Sequence, residues 1–115
     1  MSSINLKFLE EISGGDQDKL HRLVTTFMQE APKAFEQIQG SFRDKKFDDL
    51  YRAAHTVKPL YLSIGAEKAS LVINNLEAYS RSAFFRELIP VEIQELGKIN
   101  EAIFREMNAL IHNQP

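Results

Sequence analysis

His55 and Lys58 stand three residues apart and bring together a nucleophilic ring nitrogen and a cation. They lie in Ala54-His55-Thr56-Val57-Lys58-Pro59-Leu60-Tyr61-Leu62-Ser63-Ile64-Gly65, which reads as the second half of an amphipathic helix that stops at Gly65. At about 100° per residue, Phe47, Leu50, Ala54, Val57, Tyr61 and Ile64 share one face, the spacing of a buried stripe. His55 falls roughly 130° from the centre of that stripe, so its imidazole is expected to face water, where it can react. Lys58 follows at i+3, placing its ammonium within reach of whatever is bound to the ring.

An exposed helical histidine usually does nothing, and the neighbours of His55 are what distinguish it. Tyr51, Pro59 and Leu62 flank it on the helical wheel, and Arg52 and Lys58 add positive charge. An apolar rim around a basic centre suits docking to an acidic, phosphate-bearing partner. The other two histidines, His21 and His112, lie on different helices with no partner at a recognisable metal spacing. His21 reads as a surface or boundary residue, and His112 as a favourable partial cation in a last helical turn. No motif marks a serine held against a histidine and an acid. The acidic residues read as solvated faces rather than paired catalytic carboxylates.

The elements that must position these groups are all helical. Period-2 alternation is missing, and apolar residues recur at three and four along the chain. Leu6, Leu9 and Ile12 predict a short first helix ended by Ser13-Gly14-Gly15, with Asp16 at the N-cap position of the next. The second helix runs from about Asp16 to about Asp44, with Leu20, Val24, Phe27, Ala31, Phe35, Ile38 and Phe42 inward. Pro32 is internal to it, at a cost of ~3 kcal/mol unless a kink absorbs it, so one bent helix is expected, with two helices as the alternative. Arg43-Asp44-Lys45-Lys46 makes a turn, and Phe47-Asp48-Asp49 opens the third helix with an acidic first turn that suits the helix dipole. Gly65 suits the left-handed residue that closes that helix. A fourth helix covers about Ala66 to Ser80 with Ala69, Val72, Leu76 and Tyr79 inward. Arg81 to Leu88, with Phe84 and Phe85, is the longest connection. Pro90 fits the first turn of a fifth helix. That helix is carried by Ile93, Leu96, Ile99 or Ile103, Met107 and Leu110. The fold class is therefore all-α, an antiparallel up-down four-helix bundle with an additional short N-terminal helix.

The whole chain bounds what such a bundle could be. Its 115 residues make one domain, 1–115, with a real core and no room for a second catalytic unit. A net charge of −2 argues against general nucleic-acid binding. The absence of cysteine excludes disulfide and thiolate chemistry and fits a cytoplasmic protein. No apolar run near 18 residues and no basic-then-apolar leader occurs, so neither membrane insertion nor a signal peptide is expected. Gly14-Gly15 lacks the lysine and Ser/Thr of a phosphate-cradling loop and, in Gly-Gly-Asp, the Glu-Phe that would follow in a nucleotide cyclase.

At His55, Lys58 and Gly65 the chain resembles the histidine-containing phosphotransfer (HPt) domains of multistep two-component signal transduction. Their motif is His-x-x-Lys-Gly with a glycine ten residues after the histidine. Here it reads Ala-His-Thr-Val-Lys and then Ile-Gly-Ala. Leu76-Glu77 and Arg81 fall where that family often has a leucine-polar pair and a basic residue on the next helix. The Gly-Gly-Asp opening of the second helix is also frequent there. The resemblance spans nearly the whole chain, since such domains are five-helix units of about this length. The His-x-x-Lys core alone is a weak pattern; with the glycine spacing and helix order it becomes fairly strong.

The resemblance implies a phosphorelay. An aspartyl phosphate on a response-regulator receiver domain is attacked by neutral His55, at Nε2 in the family, and the phosphohistidine passes its group to another receiver aspartate. A free imidazole has a pKa of about 6.5, so the neutral form is available at pH 7. Transfer of this kind needs in-line positioning and charge stabilisation. Lys58 would compensate the phosphoryl charge, with Arg52 or Arg81 assisting. The chain would bind no cofactor of its own, and Mg²⁺ is expected from the receiver. The other implied partner is a sensor or hybrid histidine kinase. No independent turnover is expected, since kinase ATP-binding motifs are missing, and a monomer is expected.

One position departs from the pattern: the residue after the lysine is Pro59 instead of glycine. Proline there removes the amide that would bond the His55 carbonyl, so a kink or loosened turn is expected beside the histidine. It bears on partner choice and transfer rate, not on the fold. The docking surface is expected to join Tyr51, Pro59 and Leu62 to apolar residues of the first helix such as Phe8. Two other readings use the same surface: a non-catalytic helical adaptor that binds a receiver, and a receiver-directed phosphatase. Met1 and the polar Asn113-Gln114-Pro115 end lean towards a free-standing protein rather than a domain of a larger kinase.

Overall fold

Apolar residues at three-and-four spacing wind this chain into five α-helices, as the computed structural model, which describes residues 3–112, places them. They are α1 (Leu6–Ser13), α2 (Gln17–Arg43), α3 (Phe47–Leu62), α4 (Glu67–Ser80) and α5 (Ile89–His112), with a single 3₁₀ turn at Arg86–Leu88. Met1 and Asn113-Gln114-Pro115, read above as chain ends, lie outside the described residues.

The caps explain the boundaries. Asn5 accepts from the Phe8 amide to start α1, and Gly14, at φ +60°, ends it. Asp16 accepts from the amides of Asp18 and Lys19, which is the N-cap expected for α2. The α2 helix continues as one element through Pro32.

The end of α3 differs from the sequence expectation. Regular α-helix stops at Leu62, three residues before Gly65. The last turn tightens instead into a Schellman arrangement: the Gly65 amide donates to the Leu62 carbonyl at 3.1 Å and the Ala66 amide to the Tyr61 carbonyl at 3.1 Å. Gly65 takes φ +67°, so the glycine does close the element.

Helix α2 packs on α3, α3 on α4, α4 on α5, and α5 back on α2, giving the antiparallel four-helix bundle, with α1 laid on α2. The bundle is 50 Å long and 20 Å across. Its axis is filled by Leu20, Val24, Phe27, Ala31 and Ile38 of α2, Leu50, Ala54, Val57 and Tyr61 of α3, and the apolar faces of α4 and α5. Each fully buried Val, Leu, Ile or Phe among them contributes roughly 1.5–3 kcal/mol. Ile99 and Ile103 are both buried, whereas Phe35, Phe42 and Tyr79 are only partly so. The buried face of α4 is wider than the predicted stripe, taking in Ser70, Ile73 and Ser80. Ser70 and Ser80 satisfy their hydroxyls on the carbonyls of Ala66 and Glu77.

One aromatic contact and one hydrogen bond fix α3 within this core, and a second aromatic contact joins α2 to α5. Phe27 meets Tyr61 edge to face at 5.0 Å and Phe104 at 6.1 Å. Tyr61 donates its buried hydroxyl to Asn100 Oδ1 across the bundle at 2.5 Å. Burial holds the Tyr61 phenol well above its ordinary range, with the Asn100 hydrogen bond opposing in part. The opposite face of α3 is thereby held outward.

Candidate functional site

His55 occupies that outward face, with its side chain 63% exposed. Its helix is unbroken: α3 runs through Pro59, and the amide four residues on, Ser63, donates to the Pro59 carbonyl at 2.9 Å. The loosened turn expected beside the histidine thus does not end the helix. Pro59 still has no N–H, so the His55 carbonyl lacks the partner four residues on that any other residue would supply.

The arrangement around the ring was only partly foreseen. Lys58 does not stand free beside His55: its Nζ lies 2.9 Å from Glu77 Oε1 and donates to Oε2 at 3.0 Å. Glu77 comes from α4 and its side chain is only 14% exposed, so the reading of the acidic residues as solvated faces fails at this position. The same Oε1 lies 3.5 Å from His55 Nδ1. One carboxylate therefore stands between the imidazole and the ammonium. Sequence reasoning placed Glu77 in a leucine-polar pair but gave it no part in the site. The usable signal was Ile73, one turn earlier on the same side of α4, which is fully buried and carries Glu77 towards α3.

The carboxylate sets the chemistry of the ring. A carboxylate can only accept, so the tautomer that suits this geometry carries its proton on Nδ1 and leaves the Nε2 lone pair for solvent or substrate. At 3.5 Å this is an approach that a bound group could tighten, since such contacts are often long in the resting state. Oε1 is buried and makes no hydrogen bond of good geometry, which leaves it with acceptor capacity towards Nδ1.

One face of the His55 ring is stacked. The Tyr51 ring lies 5.7 Å from the imidazole, centroid to centroid, with the planes 10° apart. Arg81 covers Tyr51 in turn, with its guanidinium carbon 3.6 Å from the ring centroid. Arg81, Tyr51 and His55 thus form a row linking the end of α4 to the middle of α3. Arg81 has no ion pair among the described residues, so its charge is uncommitted.

The remaining predicted residues divide. Arg52 is held by Asp49 at 2.9 Å and turns into a cleft with Gln37, Ser41 and Thr56, on the α2 side. It does not join the His55 cluster. Leu62 is 53% exposed and Pro59 is exposed, as a docking rim requires. Phe8 is half-buried and packs beside Gly65, where a Cβ would meet its ring at 3.2 Å. That contact carries α1 to the C-terminal end of α3, and it brings a further exposed apolar residue, Leu6, that the sequence reading did not single out. His21 and His112 are both exposed and apart from this cluster. Among the described residues, no group of three or more His, Asp or Glu is arranged to hold a metal ion. Among the described residues, no helix is long and apolar enough to cross a membrane.

The model of the Hpt domain family matches residues 22–111, from near the start of α2 to the end of α5. The chain belongs to the Hpt domain family, whose members serve histidine phosphotransfer in two-component phosphorelays. Helix α1 precedes the matched region. Neither a curated protein nor a solved structure matches the chain significantly.

Proposed function

We propose that this chain is a phosphorelay intermediate that carries a phosphoryl group on His55 between the aspartates of receiver domains. One observation carries the reading: a solvent-facing imidazole whose Nδ1 is turned to a carboxylate, leaving Nε2 outward. The Nε2 lone pair attacks the phosphorus of a receiver's aspartyl phosphate in line, and the carboxylate leaves with the electron pair of the broken P–O bond. The reverse step on a second receiver returns the ring to its resting state. Lys58 and Arg81 supply the positive charge for the phosphoryl oxygens, and Arg52 stands too far round the helix to take part. Mg²⁺ comes with the receiver. Tyr51, Pro59, Leu62 and Phe8 form the apolar rim on which the receiver docks. The chain works as a monomer in the cytoplasm, between a sensor or hybrid histidine kinase and a regulator.

The engagement of Lys58 by Glu77 favours one second reading, a non-catalytic adaptor that binds receivers through the same rim. Profiling transfer against the phosphorylated receivers of the source organism separates the two. A relay takes acid-labile label from at least one receiver and passes it to another. An adaptor binds them and stays unlabelled.

A further inference from the structure

We infer that loading His55 exchanges partners inside the His55–Glu77–Lys58 cluster: Lys58 leaves Glu77 for the phosphoryl oxygens while Glu77 takes over the Nδ1–H of the ring. The inference rests on the phosphotransfer reading and adds to it a control on how available the lysine is.

Three distances motivate the exchange. Lys58 Nζ lies within 3.0 Å of both Glu77 oxygens, so the ammonium is committed in the resting protein. Glu77 Oε1 is buried without a well-formed hydrogen bond, and His55 Nδ1 already stands 3.5 Å from it. An acceptor is thus waiting on the unused side of the ring. The side chain of Lys58 is 26% exposed, on the same side of α3 as His55, so its flexible stem can carry the ammonium outward.

The charge balance supplies the driving force. In the transfer, neutral Nε2 forms the bond to phosphorus and the donor's P–O bond breaks onto its aspartate. No proton moves. Nδ1 keeps its hydrogen, and the phosphorylated ring is an imidazolium bearing a dianionic phosphoryl group. A new cation therefore appears beside Glu77 at the moment a new anion appears beyond it. Glu77 can trade one cation for another, and Lys58 is released to the only group left with unbalanced negative charge. Until then Glu77 competes with the phosphoryl group for the ammonium, which makes Lys58 worth less to loading than an unpaired lysine would be.

The test uses phosphoramidate, a small donor that phosphorylates imidazole as its P–N bond breaks and ammonia leaves. Loading rates are measured by ³¹P NMR for the wild type, Lys58→Met, Glu77→Gln and the double variant. The exchange predicts a larger penalty for losing Lys58 when Glu77 no longer competes: about threefold with Glu77 present and about tenfold or more in the Glu77→Gln background. Equal penalties in the two backgrounds, or the larger one with Glu77 intact, overturn it. A second readout needs no variant. In ¹⁵N-lysine-labelled protein the Lys58 ammonium resonance shifts on loading, and an unmoved resonance also overturns the exchange. A wild type that takes label from neither phosphoramidate nor any receiver overturns the phosphotransfer reading itself. One that loads with equal penalties overturns the exchange alone.

Discussion

His55 and Glu77 lie on different helices, α3 and α4, yet Nδ1 of the one stands 3.5 Å from Oε1 of the other. The contact depends on the packing beneath it. Ala54 and Val57 of α3 and Ile73 and Leu76 of α4 are buried, and they bring the two helices close enough for a carboxylate to reach across. Core and site are thus one construction. The outward angle of the imidazole follows from the inward angle of the stripe.

Removing the shared carboxylate should be felt in both stability and tautomer. Glu77→Ala leaves Lys58 partly buried without its partner, for an expected loss of about 1–3 kcal/mol; the partial exposure of Lys58 keeps the figure below that of a fully buried pair. Urea denaturation measures it. In the same variant, ¹⁵N spectra of His55 should show the Nδ1–H tautomer losing population to Nε2–H. An unchanged tautomer ratio would mean that the carboxylate does not orient the ring.

The docking rim is tested with a single charge. Leu62→Asp places a carboxylate on an exposed apolar position near His55 and should weaken receiver binding about tenfold or more while leaving helical content intact. Val91→Asp is the control: it is 62% exposed but sits on α5, whose backbone packs against α4 and α2. Titration calorimetry with a cognate receiver should register the first change and not the second.

Gly65 joins the site to α1. At φ +67°, an added Cβ would come within 2.7 Å of Asn5 Cβ, so Gly65→Ala combines an unfavourable backbone conformation with a clash. The expected cost is about 2 kcal/mol or more. Amide exchange should show α1 losing protection before the bundle does. Uniform loss of protection would contradict a local role.

Tyr61 ties stability to alkaline pH. Burial raises its phenol above the ordinary value of 10.0, so the folded chain keeps a proton that the unfolded chain releases. Its contribution is therefore fully present below about pH 10 and is lost as pH rises beyond it. Tyr61→Phe should cost about 1–2 kcal/mol at neutral pH by leaving Asn100 Oδ1 unsatisfied. It should also flatten the alkaline fall seen by chemical denaturation at pH 9 and above.

The helix order, the Asp16 cap, the closing role of Gly65 and the outward face of His55 were legible in the sequence, because each depends on spacing within one helix. What crosses between helices was not. The wheel places Lys58 beside His55 but carries no information about α4, so the Glu77 carboxylate that captures the ammonium was invisible to it. For the same reason Arg52 and Arg81 could not be ranked. Asp49 holds the first, and the second lies over Tyr51, and only the packing of α3 against its neighbours decides which is free. Pro59 shows the limit of a local rule: the helix absorbs a proline that its chemistry disfavours.

The most direct measurement mixes the protein with a phosphorylated cognate receiver and maps the transferred label. Phosphate is expected on Nε2 of His55, labile in acid and stable in alkali, and none in the His55→Gln variant. Acid-stable label, or label that persists in that variant, would contradict it.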